Sequence, residues 1–219
     1  MFKVSMLVLI VAAALLAGCG LGAITGSGNV ITQEEAIADF EKLDVSNGFR
    51  VEVSQGDSFS VVIRINDNLV EHLQVAKEGN TLKIGLKPGR LYNILGATLE
   101  ADVTMPELTG LDLSGGSHGT ATGFESTRDL VLDLSGGSHA TLAGTAGDVT
   151  IDASGGSEAD LSGFSVADVS IEASGGSEVT VNASGRLDAD ASGGSRVYYL
   201  GSPTLGKIDE SGGSTVAPR

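Results

Sequence analysis

The sequence predicts an all-β chain whose C-terminal half winds as a solenoid of about 20-residue coils. Three observations carry this. The tetrapeptide Ser-Gly-Gly-Ser begins at Ser114, Ser135, Ser154, Ser174, Ser192 and Ser211. The stretches before each copy alternate apolar and polar with period two, the mark of a strand with one buried face. Finally, 32 of 219 residues are Gly and only 4 are Pro, which suits many sharp corners and few helix breaks.

The repeat fixes the coil. Successive copies are 21, 19, 20, 18 and 19 residues apart. One residue before each copy stand Leu113, Leu134, Ala153, Ala173, Ala191 and Glu210. Three before stand Leu111, Leu132, Ile151, Ile171, Ala189 and Ile208. Between them, two before each copy, every residue is acidic: Asp112, Asp133, Asp152, Glu172, Asp190 and Asp209. After each copy the alternation resumes from His118, His139, Glu158, Glu178, Arg196 and Thr215. Each unit therefore reads as strand, Gly-Gly corner, strand and return. A single unit cannot bury its apolar face, whereas stacked units share a continuous core. Six corners predict a stack about 24 Å tall at the ~4.8 Å strand spacing. The leucines and isoleucines of the early copies predict a wider interior at that end. Glu210, turned inward, and Pro218 are expected to blunt the last edge.

Residues 109–219 thus form the solenoid, and residues 37–108 a smaller β-rich half without the repeat. In that half 50–54, 59–65, 81–86 and 99–105 are strand-like. Glu78-Gly79-Asn80 predicts a hairpin turn before the third of these. Leu69 to Lys77 fits a short helix or a strand.

Residues 1–19, MFKVSMLVLIVAAALLAGC, carry one cation, an 11-residue apolar run from Met6 to Leu16, and the chain's one Cys. The run is too short to span a membrane. Leu16-Ala17-Gly18-Cys19 resembles a bacterial lipobox. That resemblance implies a signal peptide over 1–18 and lipidation of Cys19. Gly at position 20 resembles the outer-membrane sorting type where the cell has two membranes. The Gly-rich residues up to Asn29 predict a tether, giving a 19–36 segment of lipidated Cys and flexible linker. The chain carries a formal net charge of −15, with 13 basic and 28 acidic residues. Such a body is repelled by anionic lipid, so the lipid holds it while it stands off. The same charge argues against binding nucleic acid through its phosphates. One Cys excludes a disulfide scaffold and Cys-based zinc sites.

Candidate chemistry is sparse. Gly115-Gly116-Ser117-His118-Gly119 matches the G-x-S-x-G elbow, but it is one of six equivalent corners. The acidic row predicts an outward ladder of Asp112, Asp133, Asp152, Glu172, Asp190 and Asp209, a candidate for oxygen-ligand cations such as Ca²⁺. His118, His139 and Glu158 occupy one register position, and His139 with either neighbour is a candidate pair for Zn²⁺. The corner serines predict stacked hydroxyls. Asn182-Ala183-Ser184 matches a glycosylation sequon. In the repeat half the aromatics are Phe124, Phe164, Tyr198 and Tyr199, few for a sugar-processing groove. No catalytic residue and no cofactor is assigned.

Gly28-Asn29-Val30, Asp39-Phe40, the run from Val51 to Asp57, Asn66 to Leu69 and the run from Glu78 to Ile84, followed by the repeated corners, resemble a bacterial family. It is the putative auto-transporter adhesin, head GIN domain family, a domain of unknown function. The resemblance covers about 28–215. It implies a right-handed parallel β-helix-like fold and an exported location. The expected function is a non-enzymatic cell-envelope lipoprotein presenting a solenoid for adhesion or ligand binding. Its partners would be the membrane, through Cys19, and a glycan or envelope protein. The alternatives are an accessory module for another envelope protein, or a polysaccharide-acting enzyme.

Overall fold

A computed structural model describes residues 23–219. Cys19 and residues 1–18, expected to form a signal peptide, lie outside the described residues. Two large sheets, of nine and ten strands, face each other across one apolar core. Each Ser-Gly-Gly-Ser corner joins a strand of the first sheet to a strand of the second. Gly110–Leu113 leads to His118–Glu125, Leu130–Leu134 to His139–Thr145, and so on to Thr204–Glu210 and Thr215–Pro218. Successive copies pair in parallel with equivalent positions opposite one another, as with Asp112 and Asp133 or His118 and His139. The repeat half is therefore a β-solenoid, with its corners aligned in a column.

The corner explains its own sequence. Both glycines take the left-handed conformation in all six copies, for example φ +62° and +77° at Gly115 and Gly116. A side chain on the first would also approach the backbone of the rung before it, whereas the second faces open space. The second serine turns inward and is buried in the first five copies. Its hydroxyl donates to main-chain carbonyls: Ser117 to Ser114 at 2.7 Å, Ser177 to Ala153 of the preceding rung at 2.9 Å. The expected hydroxyl column exists, and it ties rung to rung.

The solenoid starts earlier than the repeat does. Lys42–Val45 pairs in parallel with Gly110–Leu113, and Arg50–Gln55 with His118–Glu125. Their corner is Ser46-Asn47-Gly48-Phe49, with Asn47 at φ +62° and Gly48 at φ +75°. Asn tolerates that conformation better than other side-chain-bearing residues, so it stands in for the first glycine. On the far side of this rung lie Thr81–Leu86 and Leu99–Met105, again parallel to it. Both sheets thus run without a break across residue 108. The nine-stranded sheet spans about 38 Å at the usual strand spacing, more than the 24 Å the six visible corners predict.

The N-terminal end is closed by antiparallel strands. Leu73–Glu78 folds back on Thr81–Leu86 through the expected turn at Gly79 and Asn80. Asp67–His72 is a short 3-10 helix leading into that strand, which resolves the 69–77 ambiguity as helix and then strand. Ser60–Asn66 lies antiparallel to Leu99–Met105, and Val30–Glu34 to Ser60–Asn66. Ile24–Thr25 pairs with Tyr92–Asn93. The expected flexible 19–36 linker is thus corrected over Ile24 to Glu34, much of which is strand. Val30-Ile31-Thr32-Gln33-Glu34 lies largely exposed and shows no period-two alternation, so no strand signal marks it in the sequence.

Core volume is traded between the sheets. A side chain at Gly119 would lie 2.9 Å from Leu113. Along the stack the Leu113 position shrinks to Leu134, Ala153, Ala173 and Ala191. The Gly119 position grows to Ala140, Ala159, Val179 and Val197. Large meets small and small meets large, so the early leucines need no wider interior. Glu210 keeps the inward register, opposite buried Ala191. It is exposed, and its carboxylate accepts the Val216 N–H.

Candidate functional site

The outer face of the first sheet carries the acidic row in strict register. It is longer than the sequence indicated. Lys83 stands opposite Asp44, which stands opposite Asp112, and the row continues through Asp133, Asp152, Glu172, Asp190 and Asp209. Asp44 was missed because its corner lacks the repeat. A lysine closes each end: Lys83 Nζ lies 3.8 Å from Asp44, and Lys207 Nζ 2.6 Å from Asp209. Among the described residues, Asp112, Asp133, Asp152, Glu172 and Asp190 make no ion pair.

Spacing and burial set the electrostatics. Neighbouring carboxylates one strand apart repel by about 1 kcal/mol in water before screening. Asp112 is pushed up to about 6, chiefly by desolvation and then by Asp44 and Asp133, with Lys83 opposing. Asp133 is raised by desolvation and by Asp152, against Lys42. The cause is local. Gly110 has no side chain, and the aliphatic part of Lys42 lies over it. The result is a hollow of about 260 Å³ lined by Lys42, Asp44, Thr81, Lys83, Asp112 and Asp133. Among the described residues, no three His, Cys, Asp or Glu side chains converge to hold a metal. The row is a line of separate acceptors.

The second sheet's outer face carries a mixed row: Glu100, Arg50, His118, His139, Glu158, Glu178, Arg196 and Thr215. The imidazoles of His118 and His139 stack with centroids 4.8 Å apart and planes within 6°. Parallel rings aim their lone pairs side by side and not at one point, so the expected Zn²⁺ pair lacks converging donors. Nε2 of His139 lies 3.5 Å from Glu158. His118 is held below the usual imidazole range by burial, by His139 and by Arg50.

Other expected sites resolve as structure. Ser117, at the centre of the G-x-S-x-G match, is buried with its hydroxyl committed to Ser114. Phe124 and Phe164 are core residues and offer no platform on the surface. Sequence reasoning also missed a second column of acids in the return turns. Asp129 accepts the Asp148 N–H at 3.0 Å, Asp148 accepts the Asp168 N–H at 3.1 Å, and Asp168 accepts the Arg186 N–H at 2.6 Å. Its signal was present, since an Asp precedes Leu130, Val149 and Val169 in three successive copies.

The family model described as "putative auto-transporter adhesin, head GIN domain" matches residues 39–203. Three solved structures are similar over 90% of this chain. A putative adhesin from Bacteroides fragilis is 21% identical over 100% of its own length, with a TM-score of 0.68. A putative lipid binding protein from Parabacteroides distasonis is 19% identical over 99% of its length, with a TM-score of 0.54. A putative adhesin from Parabacteroides merdae is 15% identical over 99% of its length, with a TM-score of 0.51. These likenesses concern the fold. No curated protein matches the sequence. No helix among the described residues is long and apolar enough to cross a membrane.

Proposed function

The chain belongs to the putative auto-transporter adhesin, head GIN domain family, and from that premise we propose that it is a non-enzymatic lipoprotein of the cell envelope. Cys19 carries the lipid, and the solenoid is the binding part. The body acts as a rigid bar, because parallel pairing and the serine column leave no hinge between rungs. A rigid, regular face suits an extended partner laid along it.

The observation that carries this reading is the row of seven carboxylates from Asp44 to Asp209, five of them without an ionic partner. Each presents hydrogen-bond acceptors at the spacing of one strand. A linear glycan satisfies such acceptors through successive hydroxyls, and many weak contacts in register sum to a firm attachment. The hollow at Gly110, with Asp112, Asp133 and Lys42 around it, offers a sugar ring depth as well as acceptors.

The test is a glycan array probed with the purified chain, beside a pull-down from envelope extract. Specific linear glycans whose binding falls on Asp133→Ala and Asp152→Ala support the reading. Capture of one envelope protein with no glycan signal moves it to an accessory module. Turnover of a bound polysaccharide overturns it.

A further inference from the structure

Charge and apolar exposure are uneven over this molecule, and both anomalies fall in one loop. Residues 79–99 contain Lys83, Lys87 and Arg90 and no Asp or Glu, in a chain of net charge −15. Lys83 is committed to Glu78 and Asp44. Lys87 donates only to the main-chain oxygen of Glu71, and among the described residues Arg90 has no acidic partner. The nearby Glu71 carboxylate lies against His72. The same loop holds the two most exposed large apolar side chains described, Leu91 at 62% and Leu95 at 91%.

The loop is firmly seated despite that exposure. Ile94 packs over Gly48, where any side chain would collide with it. Tyr92 donates its hydroxyl to the Lys87 carbonyl at 2.8 Å and meets the ring of His72 edge-on. The Ala97 N–H closes a turn onto the Ile94 carbonyl at 3.0 Å. Leu91 and Leu95 are thus held outward at a cost in hydration, flanked by two cations and a tyrosine. This is the composition of a surface that enters the lipid headgroup region, with apolar tips inserted and cations at the phosphates.

Chain length identifies the membrane. The Ile24 N–H donates to the Leu91 carbonyl at 2.9 Å, and Ile24 and Thr25 pair with Tyr92 and Asn93. Cys19 is five residues before Ile24, so its Cα lies within about 18 Å of Ile24, which is itself paired with this loop. A lipid on Cys19 therefore anchors the chain at the end that carries Leu91 and Leu95.

We propose that the 87–98 loop is a membrane-docking surface, with Leu91 and Leu95 inserted into the bilayer that holds the Cys19 lipid and with Lys87 and Arg90 on its anionic headgroups. The proposal rests on the lipidated reading of Cys19. It replaces a body standing off the membrane with one seated on its N-terminal end, the acidic solenoid pointing away.

The chain has no Trp, so one introduced Trp reports its own surroundings. The full chain carrying Leu95→Trp is purified with its native modification and reconstituted into phosphatidylethanolamine–phosphatidylglycerol vesicles containing brominated lipid. Leu205→Trp, at the opposite end, is the control. The expected result is at least twofold quenching of Trp at 95 and none at 205. A second arm adds Lys87→Gln and Arg90→Gln and expects the quenching at 95 to weaken. Mass spectrometry of the same samples reports the lipid on Cys19. With lipid present, equal quenching at 95 and 205 overturns the docking and leaves the anchor standing. If Cys19 carries no lipid, the anchor reading fails and the docking falls with it.

Discussion

Asp44 lies directly opposite Asp112 in adjacent parallel strands, although they come from halves of the sequence that share no visible repeat. That pairing continues the acidic row into the N-terminal half. It also places Asp112 between two like charges, Asp44 and Asp133.

Asp112 therefore carries a pH signature. Its folded-state value is raised to about 6 from an ordinary 3.8. A raised value means that the folded chain holds this proton more tightly than the unfolded chain. The associated stability is present below pH 3.8 and is lost as pH rises through 6. Asp112→Asn removes that loss. At pH 8 the variant is expected to be more stable by about 1 kcal/mol, a figure reduced for solvent screening at this exposed site. At pH 3.5 the gain should vanish. Denaturant melts at the two pH values check it, and an equal gain at both would refute the assignment.

His118 acts in the opposite direction. Burial, His139 and Arg50 lower its folded-state value. Its contribution is complete above the ordinary imidazole value of 6.5 and is lost as pH falls from there through the folded-state value. His118→Gln should leave stability at pH 7.5 nearly unchanged and flatten the decline towards pH 5. NMR titration of His118 gives an independent reading, with its value expected below the ordinary 6.5. A His118 value above 6.5 would reverse the sign.

The two corner glycines are predicted to differ. Gly136 and Gly137 both have positive φ, at +63° and +76°. A methyl at 136 would also lie 3.2 Å from the Gly115 nitrogen, whereas at 137 it meets nothing within 4 Å. Gly137→Ala should cost about 1 kcal/mol, the left-handed penalty alone. Gly136→Ala should cost measurably more, because the adjacent rung must shift. Urea melts of the two variants decide it, and equal costs would mean that the rungs yield freely.

The corners also show why only part of this molecule was legible. Six copies of Ser-Gly-Gly-Ser made the later rungs visible, together with the acids and the inward serines that ride on them. The Asn47–Gly48 corner performs the same turn with one glycine replaced, and Phe49 stands where the inward serine should be. Pattern matching passed over it, and Asp44 with it. Between that rung and the next the chain also makes the 3-10 helix, two hairpin-like returns and the 87–98 loop. Strands adjacent in space are therefore distant in sequence, and no periodicity records their order. The carboxylates of Asp129, Asp148 and Asp168 sat in plain register, but their role as turn acceptors depends on geometry that spacing alone does not give.

The last rung yields a prediction about association. Within Thr215–Pro218 the Val216 N–H points away from the preceding strand, at the open end of the stack, and the other outward position is Pro218, which has no N–H. Glu210 accepts the Val216 N–H, placing a charge over a rung whose Ile208 and Val216 are only partly covered and whose Leu205 is exposed. A charged cover on an unpaired edge keeps other strands from joining it. Glu210→Val frees the Val216 donor and extends the apolar end, so end-to-end association should rise with concentration in sedimentation velocity. Glu210→Gln keeps an acceptor oxygen for Val216 and should behave as the parent chain does. If the valine variant sediments like the parent across the same concentrations, the edge is protected by something other than this side chain, and Pro218 is the next residue to replace.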